Sequence, residues 1–150
     1  MPVILSSRLR RRRLRLPRLQ TLAENILRAA GSARAELSLL LVGDRSMRRM
    51  NRVYRAKDRT TDVLAFPAHK TFKRVTGYGS RITSSTLGDV VISIPQAERQ
   101  AARADHTLEH EFTVLVIHGL LHLLGYDHER SAREARRMSL RERAILRAIG

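Results

Sequence analysis

The sequence predicts an α+β fold of mixed α/β character, a single domain in which a small mixed sheet of about four strands packs with about five helices. Apolar residues recur at helical spacing in some segments and form short continuous runs in others. Predicted strands and helices alternate early in the chain, and every predicted element after Pro95 is helical. A chain of 150 residues, 43% of them hydrophobic, can enclose one core, so we expect one domain over residues 1–150.

The first half of the chain begins with a predicted helix and continues into a strand-helix unit. Pro17 suits the first turn of that helix, and Gly31 supplies its C-terminal stop. The short apolar run from Ala35 to Val42 predicts a buried strand. Gly43 and Asp44 then predict a turn into a second helix.

Two more strands and three helices complete the predicted elements. The strands are expected over 62–66 and 88–94, because both runs are rich in apolar or β-branched residues and both are followed by a proline. The remaining apolar residues recur at helical spacing and predict helices over 96–105, 108–124 and 131–149.

Two segments have alternative interpretations. Arginines alternate with leucines between Arg8 and Arg15, so residues 1–16 could form a basic arm or contribute an edge strand. The segment over 68–86 is rich in Thr, Ser, Gly and cations, and it is either a hairpin or a mobile loop.

The composition excludes several classes of protein. Without cysteine, the chain cannot be a disulfide scaffold, a thiolate zinc finger, an iron–sulfur protein or a cysteine hydrolase. Its apolar runs are too short for a membrane span, and its arginine-rich N-terminus does not fit a secretory signal. We therefore expect no membrane partner and a cytoplasmic location.

The charge favours a polyanionic partner. Twenty-nine Lys and Arg against 14 Asp and Glu give a formal charge of +15, which attracts nucleic acid, although an arginine-rich proteome would give the same balance. Aromatic residues make up 4% of the chain and Trp is absent, so contact with the phosphate backbone is a better prediction than base stacking.

Three histidines close together in the second half of the chain predict a metal site. His118 and His122 are four residues apart on an apolar predicted helix and project from one face. Gly125 allows the chain to turn after that helix, which can bring His128 back toward the pair. Three neutral imidazoles leave one position of a tetrahedral zinc ion open, as in catalytic sites.

The spacing of these histidines is also that of metzincin peptidases, but Gly119 stands where a peptidase has its glutamate base. The neighbouring Asp127 could orient a ligand, act as a base or cap a turn. His106 and His110 have no third partner, and we interpret them as surface or helix-start residues.

Residues 118–128 resemble H-G-x-L-H-L-x-G-Y-D-H, the signature of the YbeY family of bacterial rRNA-maturation endoribonucleases. Residues 51–67 resemble that family's N-x-x-Y-R-x-K-D-x-x-T-D-V-L-S-F-P block, with Ala65 in place of Ser, and residues 87–93 resemble its L-G-D-I-x-I-S strand. Three blocks in the same order make the resemblance much more specific than a lone motif.

The resemblance implies a single-strand-specific, metal-dependent endoribonuclease that acts in rRNA maturation at the 3′ end of small-subunit rRNA and in ribosome quality control. It implies one Zn²⁺ per chain on His118, His122 and His128, and a functional role for Arg55. A guanidinium suits that role because it binds phosphate oxygens through two parallel hydrogen bonds. The implied partners are single-stranded rRNA and the small ribosomal subunit, with no DNA.

Two other functions fit parts of the pattern. A ribosome-assembly factor could bind rRNA through its positive surface and use the zinc only for structure, if a fourth ligand closed the site. A metallopeptidase-like hydrolase could use the same imidazoles, although Gly119 deprives it of the usual base.

Overall fold

The computed structural model describes residues 3–9, 14–68 and 86–150. Its elements in chain order are β1 (Val3–Ser7), α1 (Leu16–Ala29), β2 (Glu36–Val42), α2 (Asp44–Arg55), β3 (Val63–Pro67), β4 (Thr86–Ser93), α3 (Ile94–Ala104), α4 (Leu108–Leu123) and α5 (Ala132–Ile149). The predicted α+β class is confirmed, and the predicted helix bounds agree with these to within a few residues.

The sheet has the order β1-β2-β4-β3 among the described residues. β1 and β4 both run parallel to β2, whereas β3 runs antiparallel to β4. The sheet is therefore mixed, as the sequence predicts, and β3 forms one edge of its described part.

Alternation of side chains along β2 divides the core between the two faces of the sheet. Leu37, Leu39 and Leu41 belong to the larger apolar cluster, which contains buried residues of α1, α4 and α5. Leu40 and Val42 belong to a smaller cluster with the buried methionines of α2. Because strands with apolar residues on both faces need cover on both faces, the helices lie in two layers around the sheet.

The N-terminal edge strand lies at Val3–Ser7, before the arginine-rich run rather than within it. Residues 8–9 and 14–15 lie outside any strand, so the edge strand within residues 1–16 does not include the described part of the run from Arg8 to Arg15. Residues 10–13 are outside the described part, as are residues 69–85, where a hairpin or a mobile loop is predicted. No helix in the described ranges has the length and apolar character needed to cross a membrane.

Asp44, at the start of α2, ties together three parts of the fold. Its Oδ1 accepts hydrogen bonds from Thr60 at 3.1 Å and Ser93 at 3.0 Å, and its carboxylate pairs with Arg99 of α3 at 2.9 Å. The hydrogen bond from Arg99 is the largest of the causes that lower the pKa of Asp44 below its ordinary value of 3.8. The ionised carboxylate therefore stabilises the folded state.

Asp44→Asn should lower the free energy of unfolding at pH 7 by about 1 kcal/mol, a small value because this ion pair is partly exposed. Since the folded-state pKa is lowered, the contribution is fully present above pH 3.8 and is lost as the pH falls below it. Urea unfolding at pH 7 and pH 3 would measure this. A difference between variant and wild type that stays constant across that range would contradict the assignment.

Candidate metal centre

Helix α4 places two imidazoles next to each other on the wall of a cleft. His118 and His122 are one turn apart, their Nε2 atoms are 3.2 Å from each other, and their ring centroids are 4.8 Å apart. Buried residues of α4 such as Phe112 and Leu120 pack in the larger core cluster, which fixes the rotation of the helix. The histidines are therefore held on the partly exposed side of a rigid element.

A glycine turn after α4 brings in the third imidazole, as the sequence predicts. Gly125 has a φ of +100°, its N–H donates to the carbonyl of His122, and the N–H of Tyr126 donates to the carbonyl of Leu121. These two bonds form a Schellman motif, which reverses the chain. The ring centroid of His128 consequently lies 5.2 Å from that of His118 and 5.3 Å from that of His122.

The three imidazoles could hold a metal ion. Their potential ligand atoms all lie within 4.8 Å of one another, and the 3.2 Å separation within α4 is close to the roughly 3.3 Å between ligands of a tetrahedral zinc ion. Burial, followed by the neighbouring His118 and His128, lowers the pKa of His122 below its ordinary value of 6.5. The ring is therefore neutral at pH 7, which is the form that binds metals.

Glu142 of α5 contacts the far side of this centre, a contact that no sequence pattern predicted. Its Oε2 lies 3.2 Å from Nδ1 of His118, the ring nitrogen that does not face His122. The pairing could not be read from the chain because 24 residues separate the two side chains. One feature of the sequence could have indicated that Glu142 faces the protein interior. It lies four residues after Met138 and three before Ile145, and both of these residues are buried.

A cleft of about 920 Å³ joins the histidines to the end of α2 and the loop that follows it. Arg55, the last residue of α2, and Lys57 line this cleft together with the three histidines. Arg55 donates a 3.4 Å hydrogen bond to Glu129, which directly follows His128. The structure thus brings all four predicted site residues to one cleft.

The carboxylates in the cleft already have structural partners. Oδ1 of Asp127 accepts the N–H of Glu129 at 2.9 Å, so the turn-capping alternative is the one observed. Asp62 accepts the N–H of Val63 at the start of β3 and a hydrogen bond from Gln100 of α3. Both residues line the cleft, and both fix the backbone beside it.

His106 and His110 do not line the cleft of the three-histidine group. Nε2 of His106 contacts buried Glu111 at 2.7 Å, so His106 is a partly buried network residue rather than a surface one, whereas His110 is exposed in the first turn of α4. Tyr54, which lines the cleft, packs its ring on Phe66 at a centroid distance of 4.4 Å.

Gly119 is required where α4 crosses the sheet. A Cβ at this position would lie 2.8 Å from Cγ1 of Val90 and 3.0 Å from its Cγ2, and Val90 is fully buried in β4. The peptidase glutamate that the metzincin spacing would place here therefore has no room. The close approach also lets the two flanking turns of α4, which carry His118 and His122, lie near the edge of the sheet.

Gly119→Ala should destabilise the fold by about 1–3 kcal/mol, because Val90 or the helix must shift to admit the methyl group. This loss should exceed the roughly 1 kcal/mol that Ala gains over Gly in a helix. Urea unfolding would measure the difference. Unchanged or increased stability would show that α4 does not depend on close contact with β4 at this point.

The amino-acid sequence matches a family model and named relatives over most of its length. The family model described as Endoribonuclease YbeY matches residues 6–150. A protein of Anaeromyxobacter sp. (strain Fw109-5) named Endoribonuclease YbeY is 47% identical over 150 residues, which are 100% of this chain and 73% of the relative. One of Aquifex aeolicus with the same name is 41% identical, covering 93% of this chain and 87% of the relative.

A solved structure shares the fold. The solution structure of TM1509 from Thermotoga maritima superposes with a TM-score of 0.65 at 23% identity, covering 98% of this chain and 88% of that one. At this level of identity, the likeness supports the arrangement of sheet and helices described above.

Proposed function

Because the chain belongs to the YbeY endoribonuclease family, we propose that it is a hydrolase that cuts single-stranded RNA with a metal ion held by His118, His122 and His128. The proposed ion is zinc, one per chain, and the proposed substrate is rRNA at the 3′ end of the small subunit. A contact with the small ribosomal subunit, a part in ribosome quality control and a cytoplasmic location belong to the same proposal.

One observation carries the proposal: a single cleft is lined both by three converging imidazoles and by the cations Arg55 and Lys57. Imidazoles that converge within 4.8 Å suit a divalent ion, and guanidinium and ammonium groups suit phosphate. Both would assist cleavage of a phosphodiester, since the cations can hold the backbone while a metal ion stabilises the charge that builds as a phosphorus–oxygen bond breaks.

In this mechanism the side chains of the cleft bind and orient the backbone. When bound, a zinc ion supplies Lewis acidity, which polarises a phosphoryl oxygen and makes water more acidic. Arg55 donates two parallel hydrogen bonds to the phosphate and stabilises the negative charge that builds during cleavage, for which it must leave Glu129. Lys57 attracts the next stretch of backbone as a point charge.

The dimensions and composition of the cleft support a single strand as substrate. A volume of about 920 Å³ is at the upper end for small-ligand pockets and suits a few nucleotides of one strand. The cations Arg55, Lys57 and Arg130 line the cleft and suit recognition through phosphates, while its aromatic lining is limited to the histidines, Tyr54 and Tyr126.

The two alternative functions are less well supported. A structural zinc would need a fourth protein ligand, and the group found among the described residues has three histidines. A peptidase would need a base after His118, where Val90 leaves no space beside Gly119.

The test is cleavage of an end-labelled single-stranded rRNA fragment by the purified full chain, beside the same sequence as a duplex. We expect the single strand alone to be cut, a chelator to stop cleavage, and zinc to restore it. A zinc-loaded protein that binds the RNA without cutting it would favour the assembly-factor alternative instead.

A further inference from the structure

We propose that Glu142 is a positioning residue of the metal centre: it accepts a hydrogen bond from Nδ1–H of His118 and so directs the lone pair of Nε2 toward the ion. The inference rests on the proposed metal-binding role of the three histidines. It assigns to α5, which carries none of them, a part in metal affinity.

The contact with Glu142 selects one form of the imidazole. A neutral histidine carries its proton on one nitrogen, and the hydrogen bond made by that nitrogen sets which one it is. An ionised carboxylate can only accept hydrogen bonds. Because Oε2 of Glu142 lies 3.2 Å from Nδ1 of His118, the proton of the neutral ring is placed on Nδ1. Nε2, which lies 3.2 Å from Nε2 of His122, is left with its lone pair on the side where the imidazoles converge.

The position of Glu142 on α5 indicates that the contact is built into the packing. Met138 and Ile145 are buried against the core, and Glu142 lies between them on the same side of the helix. Its side chain is only 30% exposed, and that of His118 is 29% exposed. Partial burial of a carboxylate has a desolvation cost, which the charge-assisted bond to His118 offsets.

The residue next to Glu142 helps to hold α5 in place. Arg141 donates a 3.2 Å hydrogen bond to the carbonyl of Ala30, at the end of α1. Together with buried Met138 and Ile145, this bond restricts the rotation and sliding of α5. Glu142 is therefore presented to His118 from a rigid element, which is what a positioning role needs.

Glu142 should act mainly on metal affinity. A carboxylate behind a ligating histidine fixes the orientation of the ring and makes it a stronger ligand, and removing such a group weakens metal binding about 10- to 100-fold. Glu142 does not line the cleft, so it is not placed to contact RNA.

The experiment compares zinc dissociation constants of the full chain, measured by competition with a chromophoric chelator in the absence of RNA. Glu142→Ala should raise the dissociation constant about 10- to 100-fold, and Glu142→Gln, which keeps the size but not the charge, should raise it less. Glu134→Ala is the matched control, since Glu134 lies in the first turn of α5 and pairs with Arg137, and it should leave the constant unchanged.

Histidine nitrogen NMR of the metal-free protein supplies a second readout. In the wild type, His118 should be in the Nδ1–H form, and in Glu142→Ala it should become a mixture of both forms. A change confined to the tautomer of His118 indicates loss of positioning, because general destabilisation would affect all the histidine rings. If Glu142→Ala fails to fold, the zinc dissociation constant of Glu142→Gln still tests the proposal.

Dissociation constants within twofold of wild type, or an unchanged form of His118 in both variants, would overturn the proposal. Because no RNA is present, a wild type that binds zinc but cuts no RNA would contradict the proposed function and leave this inference standing. Conversely, cleavage by Glu142→Ala should recover at saturating zinc, and a loss that zinc does not correct would contradict a role through affinity.

Discussion

His122→Ala should abolish the metal-dependent cleavage of RNA, with a loss of at least about 100-fold. The ring centroids of the three histidines lie 4.8, 5.2 and 5.3 Å apart, so removing His122 leaves only two imidazoles to hold the ion. Loss of a direct ligand should exceed the about 10- to 100-fold effects seen when a supporting residue is removed. Metal content by mass spectrometry and cleavage of end-labelled RNA should fall together.

His110→Ala is the matched control for that experiment. His110 lies on the same helix but is exposed in its first turn, so its removal should leave both metal content and cleavage unchanged. Preparing the three proteins identically also excludes a contaminating nuclease. Full cleavage by His122→Ala would refute the assignment of His122 as a ligand.

Arg55→Ala should reduce cleavage about 100- to 1000-fold while metal content stays at the wild-type level. The guanidinium lines the same cleft as the histidines and has no acceptor lone pair with which to bind a metal ion, so we expect it to contact the phosphate. Arg55→Lys should restore little, because an ammonium group cannot form two parallel hydrogen bonds with a phosphate. Single-turnover cleavage at saturating zinc would measure these rates.

Arg52→Ala, three residues earlier and exposed on the same helix, is the control and should cut RNA at close to the wild-type rate. Stability should change little in Arg55→Ala, since the pair with Glu129 is exposed and such pairs contribute about 0–1 kcal/mol. Equal losses in both variants would mean that Arg55 contributes only general positive charge.

Local pattern was sufficient for the elements and for part of the centre. Periodicity predicted the helices and the central strands, because an amphipathic face or an apolar run depends on neighbours in the chain. The group of His118, His122 and His128 was predictable for the same reason, since one helical turn and one glycine turn bring these side chains together. The resemblance to a family supplied Arg55, which no local pattern distinguishes from the many other arginines.

The sequence by itself therefore determined the type of fold and the convergence of the three imidazoles. Only the tertiary structure decided which residues distant in the chain contact one another. Val3–Ser7 becomes a strand because it pairs with β2, Val90 fills the space beside Gly119, and Glu142 reaches His118 because α5 packs on α4. Each of these contacts joins residues at least 20 positions apart, and their proximity depends on how the helices pack on the sheet, which local periodicity does not encode.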